Sequence, residues 1–257
     1  MDFVFVGNTT NVDDDTNYGA VPYSYRVGKY EVSEAMIDAY NTANPSILIT
    51  KETRGADKPA TSVSWNEAAR FVNWLNTSQG YQAAYKFDTN GFNDNIALWT
   101  PAEAWQQGGE NLYRHKDAKY FLPSEDEWYK AAYYDPNKGG AGVGGYWDYA
   151  TGSDSAPTAV ASGTGTGTAV YGGQADPVDI TNAGGLSPYG TMAQNGNAFE
   201  WCESASTAPN DSAVESRVRR GGSWYFNSNT LQSSARYSLN PLFEDIDFGF
   251  RVAAVPE

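Results

Sequence analysis

One cysteine and one histidine in 257 residues leave little for thiol or transition-metal chemistry to work with. A structural zinc site wants four Cys or His ligands, a Cys/His dyad needs both partners side by side, and an intramolecular disulfide needs a second sulfur. Cys202 follows a Trp inside a motif and reads as a packed, inert thiol, while His115, in Arg114-His115-Lys116-Asp117, reads as an exposed loop residue. Positive charge is scarce as well. Seventeen Lys plus Arg face 31 Asp plus Glu, a formal net charge of −14, so the long-range field repels phosphate backbones and argues against nucleic acid as a partner. The basic run at Arg217, Arg219 and Arg220 is assigned to a structural motif instead. No apolar run approaches the ~20 residues of a membrane span. What the chain has is aromatic side chains, 14% of it with eight Trp and 18 Tyr, against only 19% charged residues. That balance suits a loop-rich globular protein and not a disordered one.

Periodicity gives the first elements. Asp2-Phe3-Val4-Phe5-Val6 is strand-like, and Tyr25 through Val32 alternates in the period of a half-buried strand. Ser33 then caps a short helix carrying Met36, Ile37 and Tyr40. A second helix opens with the capping box Ser64/Glu67 and carries the apolar stripe Trp65, Ala68, Phe71, Val72 and Leu75. A third starts at Ser124 with Glu127 three residues on, faces Trp128, Ala131 and Ala132 inward, and ends at Asp135-Pro136. From about 139 to 185 the composition shifts to Gly, Ala, Ser and Thr. The aromatic run Tyr146-Trp147-Asp148-Tyr149 inside it favours a long surface excursion of one domain over a linker between two. No repeat of fixed period appears.

Five segments in register carry a family resemblance: Lys29-Tyr30-Glu31-Val32-Ser33; Pro59-Ala60-Thr61-Ser62-Val63-Ser64-Trp65; Pro123 through Trp128 with Ala131-Ala132; Gly196-Asn197-Ala198-Phe199-Glu200-Trp201; and Arg219-Arg220-Gly221-Gly222-Ser223-Trp224 leading to Phe248-Gly249-Phe250-Arg251-Val252. The chain resembles the formylglycine-generating, or sulfatase-modifying factor, enzymes. The resemblance implies an α+β fold, C-type-lectin-like and loop-rich, with short strands and about three helices, over residues 1–257 as a single domain. Gly221 and Gly222 permit a turn with no Cβ in the way, Ser223 can bond nearby backbone, and Trp224 anchors the loop that follows. Gly249 to Val252 reads as a closing strand with Phe250 and Val252 inward, leaving Arg251 to pair with a buried acid such as Glu200.

Catalytic members of that family bind copper through two cysteines, three and eight positions after the motif's serine. Here those positions hold Phe226 and Leu231, whose side chains neither ligate a soft metal nor exchange electrons with a thiol. No copper is expected. The related sulfoxide synthases take iron on several histidines, and this chain has one. The family also holds calcium, which the resemblance places on Asn195, Gly196, Ala198 and Glu200, with Ala193 standing where a side-chain oxygen is expected. The competing reading is that Glu200 pairs with an Arg while Asn195 and Asn197 serve turns.

Between the last two motif blocks, residues 225–248 are crowded with Tyr225, Phe226, Ser228, Thr230, Ala235, Tyr237, Ser238, Leu239, Leu242, Phe243, Asp245, Ile246 and Asp247. Many relatives carry Asn here. Every one of these types is reached from an Asn codon by changing only its adenines. The segment thereby resembles the variable proteins of diversity-generating retroelements. Rigid rings with short polar groups are also what paratope-like surfaces use. Tyr225, Phe226, Ser228, Thr230, Tyr237, Ser238, Leu239, Leu242, Phe243, Asp245 and Asp247 are therefore the expected ligand-binding set, against the alternative that half are ordinary core.

The leading functional expectation is a non-catalytic protein that binds or displays a protein or glycan ligand. One rival is an oxidase or other modifying enzyme using the same cleft without the cysteine pair, and another is a purely structural envelope component. Similarity to exported bacterial proteins implies export or surface location, with the tail Val252 to Glu257 ending where such proteins often begin a Pro-Glu-Pro sorting segment.

Overall fold

Phe3–Val6 and Tyr25–Gly28 pair antiparallel in the computed structural model, which describes residues 1–88, 95–207, 210–212 and 214–256. Ala253–Ala254 adds to the far side of Tyr25–Gly28, and Tyr120–Phe121 follows, so one four-stranded antiparallel sheet joins the two ends of the chain. Glu257, the last residue of the tail, lies outside the described residues. A second sheet is ordered Tyr237–Leu239, Arg217–Arg220, Phe199–Ala205, Phe248–Gly249; only its last pairing is parallel.

The expected closing strand is split. Phe248–Gly249 and Ala253–Ala254 belong to different sheets, and Phe250, Arg251 and Val252 cross between them, all three buried. Their backbone still pairs: Phe250 O accepts from Val32 N and Val252 O from Gly28 N. The crossing carries Arg251 into the interior, where a regular alternating strand would have turned it away from Phe250 and Val252.

Helices form where capping and stripes called for them: α1 Glu34–Ala43, α2 Trp65–Thr77 and α3 Glu125–Tyr133. Both boxes are complete, with Ser64 and Ser124 accepting from the backbone N–H of Glu67 and Glu127 and each Glu reaching back. Ser33 occupies the N-cap of α1 but makes no side-chain cap bond. The core gathers Trp65, Phe71, Tyr113, Phe121, Trp201 and Phe250 between α2 and the sheets. No helix among the described residues is long and apolar enough to cross a membrane.

His115 is not a loop residue. It ends the strand Asn111–His115, is 9% exposed, and meets the Trp99 ring edge-on at 4.7 Å. Its neighbour Arg114 is fully buried between Glu127 and Glu203, at 2.8 and 2.6 Å. Burial by itself would raise the Glu127 carboxyl, yet Arg114 and the capping bond hold it below its ordinary value. Arg220 and Arg236 share Glu125 in the same manner, at 2.7 and 2.9 Å, which places the basic run inside the framework. Cys202 is sealed from solvent, and burial pushes its thiol well up.

The 139–185 excursion is mostly exposed from 152 to 168 but rooted at both ends. Tyr146 packs on Tyr129 and Tyr134, and Val170 and Ala183 are buried beside Trp224.

Candidate functional site

Gly222 sits at φ +71°, and a Cβ there would lie 2.5 Å from Thr230 Oγ1 and 2.6 Å from Leu231 Cδ2. The turn therefore closes only on glycine, and it aims Trp224 into a pocket of Val170, Ala183, Met192 and Ala193. Trp224 donates its backbone N–H to Asn197 O at 3.0 Å, its own carbonyl accepts from Gly173 and Gln174, and Arg54 lies 5.0 Å over the ring. From this anchor the chain runs out across the face through a short 3-10 turn at Ser228–Leu231 and the edge strand Tyr237–Leu239. It is tied back where Pro241 O accepts from Asn66 N and Asp245 O from Ser62 N. The 225–247 segment is thus irregular backbone held at both ends by rigid parts.

Most of the expected binding residues are exposed along that segment. Tyr225 is 65% exposed, Phe226 42%, Tyr237 38%, Leu242 41% and Phe243 50%, and Ile246, outside the expected set, is 54% exposed; Ser238 and Asp245 are exposed and Ser228 partly so. Three members of the set depart from this pattern. Thr230 is buried, its hydroxyl donating to Asn227 O, and belongs to the glycine turn. Asp247 is 5% exposed. Leu239 is half-buried against the main core, on the same strand face as Tyr237, whose ring packs on Phe199 at 5.4 Å while staying partly exposed. The two positions that carry the family's cysteines diverge as well. Leu231 is sealed beneath the face, whereas the Phe226 ring stands at its edge, 5.7 Å from Phe199 and 5.5 Å from Tyr225.

A cleft of about 210 Å³ opens at that edge, lined by Tyr225, Phe226, Asp245, Ile246 and Asp247. The Arg219 guanidinium carbon lies 3.9 Å over the centre of the Phe248 ring. Ser223 does not bond nearby backbone: its hydroxyl and Asp247 Oδ2 are both buried without hydrogen-bond partners. Burial raises the Asp247 carboxyl, with the nearby Ser223 hydroxyl and Arg219 opposing. Sequence reading missed Arg54. It pairs with Asp176 at 3.1 Å and donates to Ile246 O at 3.3 Å, and contacts across such chain distances leave no local signal.

The Asn195 and Glu200 side chains of the 195–200 segment are tied into the framework. Arg251 holds both Glu200 oxygens, Nη2 to Oε1 and Nε to Oε2, each at 2.5 Å, and Trp128 Nε1 donates to Oε2 at 2.6 Å. Asn195 accepts from Thr151 N at 3.2 Å and donates to Leu231 O at 2.9 Å. Gly196 gives its N–H to Gly221 O, and Ala198 gives its own to Glu31 Oε1. Calcium would have to take Glu200 from a guanidinium and an indole, and Asn195 from a backbone N–H. The oxygens such an ion would use at Gly196 and Ala198 are their carbonyls, and at Glu200 and Asn195 it would have to compete with the bonds just described.

Fold and motif geometry together define a C-type-lectin-like scaffold of formylglycine-enzyme type carrying an exposed aromatic segment where that family keeps its thiolates. The chain belongs to the family described as the sulfatase-modifying factor enzyme 1-like domain, whose model matches residues 9–255. Among solved structures it is similar to Treponema denticola variable protein 1, at TM-score 0.67 and 22% identity over 99% of this chain and 95% of that one. It is also similar to CarF, at TM-score 0.66 and 20% identity over 100% and 98%, and to PvdO from Pseudomonas aeruginosa, at 0.58 and 18% over 99% and 92%. Comparison with curated proteins finds no match.

Proposed function

We propose that this protein is a non-catalytic ligand-binding or display member of its family, exported to the cell surface, and that the 225–247 face grips a protein or glycan. The observation that carries this is the crowding of exposed apolar side chains. Of the fourteen large hydrophobics exposed among the described residues, six lie between Tyr225 and Ile246. Large apolar side chains crowded onto one exposed segment are costly to leave in water, and such crowding points to an interaction site. The phenyl ring of Phe226 at a former ligand position lends this surface one more contact group and takes away a thiolate. The retroelement reading draws support from the adenine pattern of the segment and from the shared fold of a protein named as variable; a reverse transcriptase gene beside a near-copy of the final coding stretch would be its genetic signature.

The test is to apply the protein to glycan and peptide arrays, then repeat with Leu242, Phe243 and Ile246 all replaced by Ser. All three are exposed, so the melting temperature should stay within a few degrees while array binding falls at least tenfold. Binding that survives the triple change would sink the assignment of this face.

A further inference from the structure

Two rings and two acids meet in the 210 Å³ cleft at the edge of the face. Tyr225 and Phe226 stand at an interplanar angle of 89°, centroids 5.5 Å apart, so they form two walls of a corner. Asp245 is exposed at the rim, and Asp247 is buried, its carboxyl near the equally buried Ser223 hydroxyl but with Oδ2 lacking a hydrogen bond of good geometry. Of the cations around the cleft, Arg54 is committed to Asp176 and Glu52, and Arg219 is stacked on Phe248 with its Nε itself lacking a partner. Neither forms an ion pair with the cleft's acids, although the charge of Arg219 reaches both Asp245 and Asp247.

We propose that this cleft seats a cationic side chain, a lysine or arginine presented by a protein partner, with its stem between Tyr225 and Phe226 and its charge directed to Asp245 and Asp247. The inference rests on the reading above that the face binds a partner. Three physical facts favour a cation over other occupants. Aromatic faces set at a corner attract ammonium and guanidinium groups through their quadrupoles. A buried carboxylate oxygen without a well-formed hydrogen bond gains most from a charged donor and loses most if an apolar group seals it in. The net charge of −14 draws basic surfaces towards the molecule and repels acidic ones.

The experiment is an NMR titration of the ¹⁵N-labelled chain with four small probes: N-acetyl-lysinamide, N-acetyl-argininamide, the neutral isostere N-acetyl-norleucinamide, and N-acetylglucosamine. The two cationic probes should produce saturable shifts at the amides of Tyr225, Phe226 and Ile246, with at least tenfold weaker response to norleucinamide and to the sugar. Asp245→Asn and Tyr225→Ala, both at exposed positions, should each weaken the cationic probes about fivefold or more with the melting temperature unchanged. Asp247→Asn should do the same, and the two surface variants carry the result if it fails to fold. Equal response to norleucinamide or the sugar, no effect of Asp245→Asn, or no saturable shift with any probe overturns the proposal. If the array binding described above persists and remains sensitive to Leu242, Phe243 and Ile246, such an outcome removes the cation and leaves the face; loss of both removes the reading itself.

Discussion

Arg251 is fully buried, and besides Glu200 it donates to the carbonyls of Gly28 and Met192, so a single guanidinium pins both chain ends to the 192–200 segment. Glu31 lies in the same pocket, and burial and the charge of Glu200 push its carboxyl well up against the pull of Arg251. Arg251→Ala would strand Glu200 in the interior and should cost about 3–5 kcal/mol, read as the shift in a urea denaturation midpoint; an unchanged midpoint would deny the pair any structural role. Asp126 offers a cleaner titration. Burial raises its carboxyl from 3.8 to about 6, against the opposing bond from Gly19 N. With the folded value above the unfolded one, the native state keeps this proton where the unfolded chain has lost it. The group therefore favours folding most below its unfolded pKa and loses that contribution as pH rises through about 6. Asp126→Asn keeps the acceptor for Gly19 and removes the titration. Its stability relative to the parent should rise by about 1–3 kcal/mol between pH 4 and pH 7, and a constant difference across that range would contradict the assignment.

Helices were legible in the sequence because capping is local. Ser64 and Glu67, like Ser124 and Glu127, lie within one turn of each other, and the bonds they make are the ones the spacing dictates. Ser33 was expected to cap α1, but Met36 stands where a reciprocal Glu would be, and the Ser33 hydroxyl makes no cap bond. The two serines should therefore respond differently: Ser64→Ala should cost about 1 kcal/mol and Ser33→Ala under about 0.5 kcal/mol, compared by thermal melts under one condition. Equal losses would mean that Ser33 caps after all. Strands were less legible. Tyr120–Phe121, Phe248–Gly249 and Ala253–Ala254 span two residues each, too few to show alternation, and exist only because distant segments bring partners to them. Leu239 went astray for a related reason. Its place in a variable-looking run pointed outward, and only the pairing of its strand with Arg217–Arg220 turns it to the core.

At the scale of the whole molecule the five motif blocks gave the fold, and the exposed segment between two of them gave most of the candidate face. What the chain order concealed is how the Gly- and Thr-rich stretch supports that face. Gly172 N donates to Phe226 O at 2.8 Å, Gly173 and Gln174 both donate to Trp224 O, and Asn197 N donates to Val170 O. Val170 and Ala183 close the pocket that holds Trp224. Composition marks 139–185 as loop, yet its second half forms the wall against which the binding segment is set. A surface loop of low density would be dispensable; a wall would not. Replacing 139–185 by a Gly/Ser linker of about fifteen residues, enough for a root-mean-square span of roughly 20 Å, should abolish cooperative unfolding and leave the 225–247 segment open to rapid proteolysis. A shortened protein that melts cooperatively within a few degrees of the parent, with the segment still protected, would show that the face stands without its wall.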